Sequence, residues 1–116
     1  MIVAIGSIHR EAAGIMRSSG YTTVKAPEDF AAYQPESEDY PTIVLSGSGS
    51  ERAARATKWA IQEFSPEAIV SFGFCAATKN YARSGDIVIA ARVIDLPGSP
   101  LAVSYTHLTL PTNREV

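Results

Sequence analysis

Apolar positions in this chain fall into short runs separated by stretches of helical spacing, which predicts strands alternating with helices. Residues 2–5, Ile-Val-Ala-Ile, form a β-type run that stops at Gly6-Ser7. Residues 8–17 have helical character, with Ala12, Ile15 and Met16 able to share a face, and Ser18-Ser19-Gly20 closes that helix. Residues 21–25 are rich in β-branched side chains and read as a second strand. Pro27 suits the first turn of a short helix running through Ala32. Residues 34–41 are polar, acidic and proline-bearing, the marks of a surface loop. Residues 42–45 form the next strand. Residues 51–64 form the best helix, in which Ala53, Ala56, Ala60 and Phe64 make an apolar stripe. Residues 68–72 read as a buried strand and residues 86–93 as another. The alternation predicts an α/β fold: a mixed, mainly parallel central sheet flanked by helices, with a ligand crevice at the C-terminal ends of the strands.

Composition narrows the class. A chain of 116 residues supports one hydrophobic core, and 46% hydrophobic with 19% charged residues excludes disorder. The formal charge is -2 with Lys and Arg scattered, so no basic face points to nucleic acid. No apolar run has the length of a membrane span, and the N-terminus reads as a strand rather than a basic leader, so a cytoplasmic protein is expected. Cys75 stands alone, which argues against a disulfide framework or a cysteine metal cluster. Beside small residues it invites a nucleophile reading, but no basic partner accompanies it, and a simple packing role is the commoner one.

Three stretches carry candidate chemistry. Gly6-Ser7-Ile8-His9-Arg10-Glu11 follows a strand and opens a helix, a junction whose backbone N–H groups suit an anion or a ribose oxygen. Ser46-Gly47-Ser48-Gly49-Ser50 allows close backbone approach to a ligand, and Ser50 is a natural helix N-cap there. As a dinucleotide fingerprint it fails, because Arg52 occupies the third glycine position, and it lacks the Gly-Lys-Ser/Thr of a P-loop. Ser71-Phe72-Gly73-Phe74-Cys75-Ala76-Ala77, followed by Ser84-Gly85-Asp86, is the third.

Together these stretches resemble the nucleoside phosphorylase and nucleosidase superfamily, both its purine nucleoside phosphorylase-like and its methylthioadenosine/adenosylhomocysteine nucleosidase-like members. The resemblance implies cleavage of the N-glycosidic bond of a nucleoside. In the nucleosidases a glutamate five positions after the strand-ending glycine handles the attacking water, the place of Glu11 relative to Gly6. In the hexameric phosphorylases an arginine four positions after that glycine holds phosphate, the place of Arg10. Both patterns are satisfied, so hydrolysis and phosphorolysis stay open. Ser46, Gly47, Ser48 and Gly49 correspond to a ribose- or phosphate-cradling turn, and Gly73, Phe74, Cys75 and Ala76 to the pocket floor. Phe74 replaces a serine and Ser71 an arginine that phosphorylases use for phosphate, which leans the reading toward hydrolysis. Phe74 would either stack on a ring or lie in the core. Asp86 would orient a loop. The resemblance implies no metal or organic cofactor, with phosphate as co-substrate in the phosphorolytic case, and a homo-oligomer.

The resemblance covers roughly residues 1–95, the N-terminal half of a family domain. The later half of such a domain supplies a ribose contact and the aspartate that protonates the base. Residues 1–102 are therefore expected to be a partial domain that is inactive alone and has uncovered apolar faces. Residues 103–112, Val-Ser-Tyr-Thr-His-Leu-Thr-Leu-Pro-Thr, resemble an in-frame translation of a sequencing-library adapter, so 103–116 is expected to be a non-native tail. The alternative class is a non-catalytic nucleotide- or dinucleotide-binding α/β domain.

Overall fold

A computed structural model describes residues 1–78, 80, 82–95, 99–100 and 113–115. They fall into two units, Met1–Phe74 and Cys75–Val116. The first contains strands β1 (Ile2–Gly6), β2 (Tyr21–Val24), β3 (Ala31–Pro35), β4 (Thr42–Leu45) and β5 (Ala68–Ser71), with helices α1 (His9–Ser18) and α2 (Ser50–Phe64). The strands make one sheet in the order β2-β3-β4-β1-β5. β1 pairs in parallel with both β4 and β5, whereas β3 runs antiparallel to β2 and to β4. Only β3 is therefore reversed, and the sheet is mixed with its parallel part centred on β1.

The period-2 alternation of β1 and β4 explains the layering. Val3, Ile5 and Val44 face α2, where they pack with Ala32, Ala56 and Ala60 and are flanked by Phe30, Trp59 and Phe64. Ile43 and Leu45 face α1 and pack on Ala12, with Ile15, Met16, Tyr21, Tyr33 and Phe72 around them. Val3, Ile43 and Val44 are fully buried, and each such side chain contributes roughly 1.5–3 kcal/mol of transfer free energy. Ala56 and Ala60 are fully buried because α2 approaches the sheet along its small residues.

The short helix expected from Pro27 through Ala32 does not form. Phe30 N–H closes a single turn on the Pro27 carbonyl at 3.0 Å, and the chain then enters β3. Ala31, Ala32 and Tyr33 pair with Leu45, Val44 and Ile43, and the buried Ala32 has sheet on one side and the α2 core on the other. The expected loop at 34–41 accordingly starts only after Pro35. Gly49, not Ser50, is the N-cap of α2, because the chain turns there through φ +103°, and no side chain caps that end. β5 is not buried: Ile69 is 37% and Val70 49% exposed, since β5 is the edge strand and pairs only with β1.

In the second unit, β6 (Ile87–Ile89) is shorter than expected and pairs in parallel with Asn113–Glu115, while Ile94–Asp95 pairs antiparallel with Ser99–Pro100. Asp86 acts on a turn as expected: its Oδ2 accepts the Arg83 N–H at 2.9 Å across Gly85, whose φ is +93°. The segment 103–112 and residue 116, expected to belong to a foreign tail, lie outside the described residues. No described helix is long and apolar enough to cross a membrane.

Candidate active site

Parallel pairing places the C-terminal ends of β1, β4 and β5 side by side, so the turns that follow them are neighbours. The β1 and β4 turns are joined by backbone hydrogen bonds beyond the strands: Ser46 N–H to Gly6 O and Gly47 N–H to Ser7 O, both 2.9 Å. On the other flank Phe72 N–H donates to Ile5 O at 3.0 Å. Gly6 sits at the centre. Its lack of a side chain admits the Phe72 ring, whose Cζ lies 2.7 Å from where a Cβ would be.

Glu11, in the first turn of α1, reaches into this junction. Its Oε1 accepts the N–H groups of Ser7 at 3.0 Å and Ile8 at 3.2 Å, and its Oε2 accepts the Phe74 N–H at 2.8 Å. Ile8 is the N-cap of α1, and Glu11, three residues on, accepts that residue's backbone N–H, while the Glu11 N–H itself donates to the Ile8 carbonyl at 3.1 Å. The carboxyl is held below its ordinary range, chiefly by the Phe74 N–H and further by those of Ile8 and Ser7, against an opposing effect of burial. Glu11 is thus a fixed anion bridging the turns after β1 and β5.

Arg10 is exposed on α1 and forms no ion pair among the described residues. Ser46 is almost fully buried, its hydroxyl 2.8 Å from the Gly47 carbonyl, so it braces the turn from within. Gly47 takes φ +79°, and Ser48 and Gly49 are exposed above the N-terminus of α2. Gly73 lies against Glu11 Oε2, in a space that any Cβ would contest. Phe74 is 69% exposed, which excludes the core role and leaves its ring accessible. Cys75 and Ala76 are exposed residues of the second unit.

Two features escaped the sequence. The Arg52 guanidinium folds back over the β4 turn, with Nη1 2.8 Å from the position a Gly47 Cβ would take, and it forms no ion pair among the described residues. His9 Nε2 lies 2.6 Å from the Tyr33 hydroxyl, with the rings edge-on. Tyr33 belongs to β3, the strand that the sequence pattern hid. Among the described residues no cluster of three or more His, Cys, Asp or Glu side chains is arranged to hold a metal. An open apolar groove of about 440 Å³ lies beside α1, lined by Ile2, Ala4, Ile15, Val70 and Phe72 among others, and includes none of the expected site residues.

The family model described as the phosphorylase superfamily matches residues 2–110. No curated protein sequence matches the chain. Among solved structures, a 5′-methylthioadenosine/S-adenosylhomocysteine nucleosidase from Neisseria meningitidis in complex with methylthio-immucillin-A superposes with a TM-score of 0.70 at 23% identity, over 90% of this chain and 50% of that one. A Helicobacter pylori MTAN mutant with 5′-methylthioadenosine in the active site gives 0.68 at 14% identity, over 83% and 44%. A Colwellia psychrerythraea nucleosidase of the same kind, in complex with adenine, gives 0.67 at 24% identity, over 83% and 42%. The chain spans half or less of the length of these structures, and their likeness establishes a shared fold.

Proposed function

Since the chain belongs to the phosphorylase superfamily, we propose that the gene product carrying it cleaves the N-glycosidic bond of a nucleoside, by hydrolysis in preference to phosphorolysis. The observation that carries this reading is the Glu11 carboxylate, fixed as an anion where the turns after β1 and β5 meet. Breaking the C1′–N bond leaves the electron pair on the base and positive charge on C1′ and the ring oxygen. A carboxylate there stabilises the charge and orients a water whose oxygen attacks C1′ while its proton passes to the carboxylate. The backbone turn at Gly47 and Gly49 would lie against ribose, and the exposed Phe74 ring would cover one side of the ligand. No metal or organic cofactor has a part in this scheme. Purine nucleosides with a 5′-thioether substituent are the first class to test, by analogy with the ligands of the solved neighbours.

Phosphorolysis is the second reading, favoured by two exposed guanidinium groups, Arg10 and Arg52, that carry no ion pair among the described residues. Both belong to the first turns of helices that open at the candidate site. Separating the purified gene product's reaction mixtures by chromatography, with and without inorganic phosphate, distinguishes the readings. Free base with unmodified sugar in both mixtures supports hydrolysis. Base and sugar 1-phosphate only with phosphate supports phosphorolysis. No base from any purine nucleoside would refute both.

A further inference from the structure

Resting on the nucleoside-cleaving reading above, we infer that the peptide joining Gly73 to Phe74 is the positioning element of the Glu11 carboxylate. Glu11 has three rotatable side-chain bonds, and its contacts to Ser7 and Ile8 come from the residues immediately before α1 and engage Oε1 alone. Those contacts leave the second oxygen undirected. The Phe74 N–H fixes it from 63 positions further along the chain. That donor is in place only when β5 is in register with β1, because the last sheet bond, Phe72 N–H to Ile5 O, lies two residues before it.

Gly73 completes the arrangement by being small. The described glycines with positive φ are Gly47, Gly49 and Gly85, so Gly73 is not needed for its dihedral freedom. It is needed for space: a Cβ at 73 would collide with Oε2 and push the carboxylate away from Phe74. An ionised carboxylate has about four acceptor positions. Two on Oε1 and one on Oε2 are filled by backbone donors, so the position left for an attacking water or a sugar hydroxyl is on Oε2. The turn after β5 thereby chooses which oxygen meets the ligand.

The test is the titration of the Glu11 side-chain carboxyl, followed by carbon-detected NMR on the 116-residue chain. Phe74→Pro removes the donor, Gly73→Ala displaces the carboxylate, and Phe74→Ala keeps the N–H while removing the ring. We expect the Glu11 midpoint to rise in Phe74→Pro and Gly73→Ala and to stay in place in Phe74→Ala. In the unsubstituted chain the Phe74 amide shift should follow the same midpoint, a readout that requires no variant to fold. A Phe74 amide blind to Glu11 ionisation, or an unmoved midpoint in a folded Phe74→Pro, would overturn the inference. In the gene product the acid limb of the kcat/KM profile should move up in pH for the same two variants. If no nucleoside is cleaved while the titrations behave as stated, the functional reading falls and the positioning geometry stands.

Discussion

The Phe72 ring fills the space that a side chain on Gly6 would need, with its Cζ 2.7 Å from the ideal Cβ position. Phe72 also packs against the core formed by Ala12, Ile43 and Leu45, so it has little room to retreat. Gly6→Ala should destabilise the protein by about 1–3 kcal/mol through overpacking. Urea denaturation checks this, and a midpoint equal to the unsubstituted chain's would show that the ring moves aside without cost.

Gly47 and Gly14 should respond in opposite directions to alanine. Gly47 has φ +79°, where an L side chain is strained, and its Cβ would also press on the tip of Arg52. Gly47→Ala should cost about 1–2 kcal/mol. Gly14 lies inside α1 with nothing within 4 Å of an added Cβ, so Gly14→Ala should stabilise by about 0.5–1 kcal/mol. Thermal melts of the two variants should move to opposite sides of the parent.

Tyr21 ties the start of β2 to the far end of the loop before β4, donating its hydroxyl to the Pro41 carbonyl at 2.7 Å. Tyr21→Phe should lose about 0.5–1.5 kcal/mol. Burial first, and the nearby Tyr40 second, raise the Tyr21 hydroxyl above its ordinary range. A group raised on folding contributes stability that is present below its unfolded value, near 10, and is lost as pH climbs through the folded value. Stability measured against alkaline pH should therefore fall less steeply in Tyr21→Phe than in the parent.

Glu11 gives the opposite signature. Its folded carboxyl lies below the ordinary 4.5, so its contribution is complete above that value and fades as pH drops through the folded midpoint. In Glu11→Gln that part of the acid-side slope should be missing. Denaturant midpoints between about pH 5 and pH 2 check it, and parallel curves for the two proteins would contradict it.

The sequence made the centre of the molecule legible and its margins less so. β1, β4 and α2 announce themselves through apolar runs ending at glycine and through the Ala53, Ala56, Ala60 stripe, because their burial leaves a strong pattern. β3 was hidden by Pro27, Pro35 and the acidic residues after it. A strand whose inward residues are two alanines and a tyrosine has little hydrophobic signal, and its existence depends on pairing with β4. Gly6 and Glu11 are picked out by the family resemblance, and they lie close in sequence, the first ending β1 and the second in the first turn of α1. The donor that directs Glu11 could not be read, because it is a backbone N–H and carries no side-chain signature. In the sequence Arg52 stands out only as a missing glycine, yet its long side chain returns to the turn that Gly47 opens.

We propose that Glu11 is the catalytic carboxylate of a nucleoside-cleaving site. Its most direct test is the rate of free-base release by the gene product carrying this chain, compared with its Glu11→Gln variant on the same nucleoside. Glutamine keeps the size and one acceptor oxygen but can neither take a proton nor carry the charge. In Glu11→Gln kcat should fall on the order of 10²–10⁴-fold with fold and ligand binding retained. Base release at the parent rate by a folded Glu11→Gln protein would contradict it.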